Sequence, residues 1–290
     1  MNNYEKLEGM VAATFTPLDE NGDVNLSVID KYADWIASTP IKGVFVCGTT
    51  GEFSSLTIDE RKLILEKWLV SARKRFKVIA HVGSNCQRSA MELARHAAQV
   101  GADAIASIAP SFFKPGTVDE LVDFFAPICH SAAGLPFYYY NMPSITGVNL
   151  PVDKFLVEGK KKIPNLVGTK FTHNNLMEMG VCIELEQHRF EVLHGYDEIL
   201  ISGLAMGAVA GVGSTYNYIP NVYQAIFDSM KMNDLETARH NQIKSIRTVE
   251  VIIKYGGGVR GGKAIMKLIG IDCGSCRLPI KPFLLMNMKN

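Results

Sequence analysis

Leu166-Val167-Gly168-Thr169-Lys170-Phe171-Thr172-His173 reads as a short buried strand with one lysine near its carboxyl end. A strand apolar on both faces is what a parallel sheet covered on two sides requires. It offers no comfortable place for an ammonium group. Lys170 must reach water, pair with a carboxylate, or be held partly desolvated. Desolvation lowers a lysine pKa and frees the amine as a nucleophile. Taken alone, the strand-end position favours a lysine that reaches solvent.

Seven comparable runs accompany it. Upstream lie Met10–Pro17, Val44–Gly48, Lys77–Gly83, Ala104–Ala109 and Pro136–Asn141; downstream lie Phe190–Gly195 and Ala208–Thr215. Helical spacing separates them, over Asn25–Ser38, Thr57–Arg73, Ser89–Val100, Thr117–Ala133, Val152–Glu158, Asn174–Gln187 and Glu198–Met206, with Asn221–Lys231 after the last strand. Thr57-x-x-Glu60 and Thr117-x-x-Glu120 are capping boxes, and Gly101 stops the third helix. Regular strand–helix alternation implies parallel pairing. Eight such units in about 230 residues predict a closed (β/α)8 TIM barrel over residues 1–232. The alternative is an open doubly wound sheet, but no Gly-rich dinucleotide turn follows the first strand. Leu235–Tyr255 and Lys263–Ile269 predict a carboxyl-terminal helical extension, residues 233–290, packed on the barrel as part of one domain.

Composition narrows the function. The chain has 290 residues, 47% hydrophobic and 20% charged, which suits a folded globular protein with a large core. Lys and Arg number 30 against 29 Asp and Glu, so no charge excess marks a nucleic-acid or membrane partner. The run Lys160-Lys161-Lys162 is a solvated helix end. Met1 to Glu8 is polar, without a signal-peptide core, and the apolar stretch Ile199–Val212 is too interrupted to span a bilayer. The six cysteines are scattered. Only Cys273 and Cys276 form a C-x-x-C, without the second pair a zinc site needs or the strand–helix setting of a redox motif. Buried thiols in a reducing cytoplasm are the expectation.

In such a barrel the site lies at the carboxyl ends of the strands. There the sequence places Gly48-Thr49-Thr50-Gly51-Glu52, Tyr140-Asn141, Lys170 with Thr172, Gly195-Tyr196-Asp197-Glu198, and Gly213-Ser214-Thr215. These polar groups are far apart in the chain, yet the fold brings them to one rim. Lys170 then points into the mouth. An amine among tyrosine and threonine hydroxyls suits imine chemistry: it attacks a ketone, the cationic imine takes up electrons, and a hydroxyl moves the proton.

Gly48-Thr49-Thr50-Gly51-Glu52, Tyr140-Asn141-x-Pro143 and Gly168-Thr169-Lys170 resemble the pyruvate-dependent class I aldolases of the dihydrodipicolinate synthase and N-acetylneuraminate lyase family. The likeness runs over the whole chain with strands in order. Tyr138 to Pro143, Gly195 to Glu198 and Gly213 to Asn217 are similar to its lyase branch in particular. That resemblance implies reversible cleavage of sialic acid to N-acetylmannosamine and pyruvate, with no metal and no organic cofactor beyond the covalent imine on Lys170. It implies Tyr140 as the acid/base hydroxyl, Thr49 and Thr50 as donors to the pyruvyl carboxylate, and Thr172, Gly195, Asp197, Glu198 and Ser214 as ligands of the sugar tail. It also implies a homotetramer. Two departures separate this chain from the synthase branch. Ile145 stands where that branch carries an arginine, and Pro110-Ser111-Phe112-Phe113 has no tyrosine to lend a neighbouring subunit.

Other features take structural readings. His81, His173 and His194 lie near strand ends at no metal spacing and are expected to be satisfied structural histidines, with His173 a weak candidate for the mouth. Gly256-x-Gly258-x-x-Gly261 matches a dinucleotide fingerprint, and Gly257-x-x-x-x-Gly262-Lys263 nearly matches a phosphate loop. Ala264 replaces the hydroxyl that would hold magnesium and no βαβ unit follows, so a flexible interhelical turn is expected.

Overall fold

The strands β1 (Gly9–Ala13), β2 (Gly43–Val46), β3 (Lys77–His81), β4 (Ala104–Ile108), β5 (Phe137–Asn141), β6 (Leu166–Phe171), β7 (Glu191–His194) and β8 (Ala210–Gly213) pair in parallel, each with the next, and β8 closes on β1. This closed barrel is the predicted fold. The structure is a computed structural model and describes residues 5–132 and 134–282. Ala133 of the fourth predicted helix, residues 1–4 of the polar amino terminus and residues 283–290 of the predicted extension lie outside the described residues.

The helices α1 (Val28–Ala37), α2 (Ile58–Ala72), α3 (Gln87–Val100), α4 (Val118–Ser131), α5 (Pro143–Thr146), α6 (Val152–Lys162), α7 (Leu176–Glu184), α8 (Leu200–Ala205) and α9 (Pro220–Lys231) follow the strands. Both capping boxes form: the Thr57 and Thr117 side chains accept from the N–H groups of Glu60 and Glu120, at 3.2 Å each. α5 is a one-turn helix that sequence periodicity does not reveal. The predicted helix from Glu198 divides into a 3-10 turn, Asp197–Ile199, and α8.

Every strand is buried on both faces, and the two faces belong to two cores. Val11, Ala13, Phe45, Ile79, Ala106, Tyr138, Tyr140, Leu193 and Val212 fill the barrel interior. Val44, Val46, Val78, Ile105, Phe137, Tyr139 and Val192 face the helices. The period of two thus splits the tyrosine run: Tyr139 packs on Phe125 and Phe155, while Tyr138 and Tyr140 point inward. Pairing puts Lys170 beside Tyr140 on one side and Leu193 on the other. At the opposite end of the barrel, the buried Glu191 carboxylate accepts from the Leu7 N–H (2.8 Å) and the Tyr138 hydroxyl (3.0 Å). Burial raises its pKa.

α10 (Leu235–Lys254) packs on α9 and on the turn Asp197–Ile199, and α11 (Gly258–Leu268) packs on α10. α11 begins inside the glycine run expected to be a turn, which corrects that expectation. The reason is packing. A Cβ at Gly262 would fall on the Phe15 ring, so glycine there lets the first turns of the helix approach the barrel closely. Among the described residues, no helix is long and apolar enough to cross a membrane.

Candidate active site

Lys170 is 4% exposed, at the carboxyl end of β6 inside the barrel. Its Nζ lies 4.1 Å from the centre of the Tyr140 ring and 4.4 Å from that of Phe45. The solvated lysine that its strand position alone favours is therefore not what forms. Burial pulls its pKa down to about 7, opposed by the negative charge of Asp197. An ordinary lysine near pH 7 carries a free amine in only about one molecule in several thousand; Lys170 carries one in about half. Its reaction with a carbonyl reagent is expected to be half-maximal near pH 7 and to fall about tenfold per pH unit below it. Reductive trapping measured from about pH 5 to 9 checks this; a midpoint at the ordinary lysine value would contradict it.

The Tyr140 hydroxyl meets Thr49 Oγ1 at 3.2 Å and donates to Met142 Sδ at 3.1 Å. Burial pushes its pKa up to about 12, opposed first by the Thr49 hydroxyl. It is a protonated phenol at neutral pH, able to give a proton. The Thr172 hydroxyl beside it is buried without a directed protein partner. Among the described residues, the N–H groups of Thr49 and Thr50 also have no intramolecular acceptor. Two adjacent free amides and a hydroxyl suit an anion such as a carboxylate.

Asp197 stands just after β7, the strand next to that of Lys170, and is 4% exposed. Its Oδ2 accepts from the Thr215 N–H at 2.9 Å and from Thr215 Oγ1 at 2.6 Å, while Oδ1 is buried and unpartnered. Burial raises its pKa to about 6, opposed first by the Thr215 bonds. Room for the carboxylate comes from Gly213, where a Cβ would fall on Oδ1. The Asp197 carbonyl accepts from Gln242 Nε2 (3.0 Å) and Ser245 Oγ (3.2 Å) of α10. Hydrogen bonds also join Thr215 to Tyr223 and Tyr223 to Ser245, closing a ring that starts and ends on Asp197. Buried unpartnered groups such as Oδ1 and the Thr172 hydroxyl mark a site completed by a ligand or water.

The structure thus brings Lys170, Tyr140, Thr49 and Thr172 together, with Asp197 within electrostatic reach. Gly195 follows β7, its N–H donating to the Phe171 carbonyl at 2.9 Å. Thr50, Glu198 and Ser214 are half-buried on the same rim. Sequence reading missed Phe45, whose inward face could be told from Val44 and Val46 only by register. It also missed Thr215, which lies inside a quoted motif but fixes Asp197 rather than facing a ligand. Ile145 is 61% exposed on α5.

Two structural expectations need correction. His81 Nδ1 meets the Cys47 carbonyl at 2.8 Å, yet its Nε2 and both ring nitrogens of His194 are buried without a directed partner, so these histidines are not fully satisfied. Burial lowers the pKa of each, that of His194 to about 4, and both stay neutral. His173 is half-buried against Phe171. Cys47, Cys129, Cys182 and Cys273 are buried thiols, but Cys86 is exposed at the start of α3 and Cys276 is intermediate. Among the described residues, no three His, Cys, Asp or Glu side chains converge as a metal site would require.

Known proteins resemble this chain over most of its length. The profile of the dihydrodipicolinate synthetase family matches residues 6–288. N-acetylneuraminate lyase of Mus musculus is 43% identical over 281 residues, covering 96% of this chain and 88% of the mouse protein. The native N-acetylneuraminate lyase of Aliivibrio salmonicida superposes with a TM-score of 0.95 at 38% identity, over 97% of this chain and 93% of that one. A sialic acid aldolase of Ruminococcus gnavus, solved as a catalytic lysine mutant, superposes with a TM-score of 0.94 at 27% identity, over 99% and 94% of the two chains.

Proposed function

Because the chain belongs to the dihydrodipicolinate synthetase family, we propose that it is a sialic acid lyase, a class I aldolase cleaving N-acetylneuraminate reversibly to N-acetylmannosamine and pyruvate. One observation carries the chemistry: a lysine buried in the barrel mouth, held near neutrality, with a phenol against it. The Lys170 amine adds to the C2 ketone of the open-chain sugar acid, and loss of water leaves a cationic imine. With the cationic imine beside it, Tyr140 first releases its own proton to solvent, and the resulting phenolate takes the proton of the C4 hydroxyl as the C3–C4 bond breaks. The electron pair of that bond flows into the imine, giving the enamine of pyruvate, and the aldehyde departs. Protonation at C3 and hydrolysis then release pyruvate and free the lysine.

The imine charge, formed against the Tyr140 ring, stabilises the phenolate this step needs and lowers a pKa otherwise near 12. In the reverse direction the phenol donates to the aldehyde oxygen. Thr49 and Thr50 hold the carboxylate, and Thr172, Gly195, Asp197 Oδ1, Glu198 and Ser214 take the sugar hydroxyls. A site of hydrogen-bonding groups discriminates strongly against substrates lacking those hydroxyls. The imine supplies the electron sink, so the proposal includes no metal or organic cofactor. It includes a homotetramer in the cytoplasm, supported by the family resemblance and by cysteines that are all unpaired. It also includes a barrel and extension that fold as one domain, supported by the packing of α10 on the Asp197 turn.

Pyruvate with borohydride is expected to add mass at Lys170, and sialic acid is expected to release pyruvate. Absence of the adduct would sink the lysine mechanism. Release from a 2-keto-3-deoxy sugar acid but not from sialic acid would move the protein to another aldolase specificity. Binding of sialic acid without pyruvate release would make it a binding protein.

A further inference from the structure

The turn that carries Thr49 and Thr50 is bracketed by two non-glycine residues in the left-handed region, Cys47 (φ 54°) and Glu52 (φ 56°). Side chains disfavour that region, so the surroundings must hold such residues there. Within the turn, the N–H of Glu52 donates to the Thr49 carbonyl at 3.1 Å and that of Phe53 to the Gly48 carbonyl at 3.2 Å. Thr16 Oγ1 donates to the Gly51 carbonyl at 2.7 Å.

The Glu52 side chain does not face the mouth. It turns away and is buried against the carboxyl-terminal segment. Its Oε1 lies 2.7 Å from Lys263 Nζ of α11, and both side chains are 2% exposed. Its Oε2 accepts from the Arg277 N–H at 2.9 Å. Lys263 also donates to the Ser275 carbonyl at 2.9 Å. The Arg277 guanidinium is spread over the Gly22 carbonyl (2.9 Å), the Ser55 carbonyl (2.7 Å) and the Glu60 carboxylate. The residues after α11 therefore clasp the turn from behind.

Two ions taken this far out of water need a reason beyond stability, because a buried pair is on average no better than apolar packing. We infer that the Lys263–Glu52 pair is a positioning device for the reaction: it fixes the Gly48–Gly51 turn so that the Thr49 and Thr50 N–H groups stand ready for the substrate carboxylate. This rests on the proposed pyruvate chemistry. Glu52 and Lys263 touch no substrate in this scheme. They act through the backbone of the turn, where small displacements of donors are expensive.

Pyruvate binding by titration calorimetry tests the clasp without needing turnover. Lys263→Met is expected to weaken pyruvate binding about tenfold, equivalent to about 1.4 kcal/mol. The KM for N-acetylmannosamine in synthesis should change less than about twofold, because the sugar side is held by α10 instead. Glu52→Gln keeps the side-chain shape and should show the same split; it carries the test alone if Lys263→Met does not fold. The double variant should be impaired less than the two single effects combined. Unchanged pyruvate affinity with only a lower melting temperature would overturn the inference, as would equal losses for pyruvate and sugar. A wild type that binds pyruvate but does not cleave sialic acid would refute the proposed substrate and leave the clasp result standing. A wild type that binds no pyruvate would overturn both.

Discussion

Lys170→Met is expected to lower kcat/KM by about 10⁴-fold or more and, at the same time, to make the protein more stable. The first effect follows from losing the amine that forms the imine in the proposed mechanism. The second follows from burial. The ammonium form of Lys170 is penalised by desolvation, which is why its pKa falls from 10.5 to about 7. Below pH 7 the folded protein carries that charged, desolvated group and bears the full penalty. Between pH 7 and 10.5 the folded lysine is neutral while the unfolded one is still protonated, so the penalty is relieved as pH rises. Methionine has nearly the same shape and no charge. Its advantage should be largest near pH 6.5, as a rise of about 2–5 °C in melting temperature, and should shrink toward pH 9. Asp197 does not confuse the comparison. With its pKa raised to about 6, its own penalty is present above that value and nearly constant across the window. Thermal melts at the two pH values check the claim; a variant less stable than wild type at the lower pH would show that Lys170 is not held at a cost.

Tyr140→Phe should separate imine formation from bond cleavage. It removes one oxygen and leaves the ring beneath Lys170, so the amine keeps its apolar cover. Borohydride should still trap pyruvate on Lys170 at close to the wild-type rate. The kcat for cleavage should fall about 10²- to 10³-fold, the usual size for losing a positioned acid/base group. The hydroxyl also meets Thr49, so a modest rise in the pyruvate KM is expected from the unpaired threonine. Equal losses in trapping and cleavage would instead place Tyr140 in forming the imine.

The barrel was legible because strand and helix alternate with little interruption, and the two capping boxes announce their helices residue by residue. Lys170 was legible because a lysine on an apolar strand is a local contradiction. What stayed hidden is what needs a third dimension. Every strand is buried on both faces, which erases the period of two that would tell inward from outward, so Phe45 gave no sign of lying against Lys170. The contact of Thr49 with Tyr140 depends on register across the barrel. The glycine run before Lys263 looked like a turn because its helix is shaped by the Phe15 ring, which sits at the far end of the chain. Glu52 sits inside a motif whose other members serve the mouth, and no spacing rule shows that it turns backward to meet Lys263.

The Glu191–Tyr138–Leu7 seal at the amino-terminal end of the barrel constrains traffic. In the proposed reaction substrate and products share the mouth that holds Lys170, so both products depart by the way the sugar acid came in. In that scheme pyruvate is still tethered to Lys170 inside the barrel when the aldehyde forms on its solvent side. Departure is therefore queued: the sugar must clear the doorway before the tether is cut. In the synthetic direction pyruvate enters first, and sugar arriving early blocks the passage.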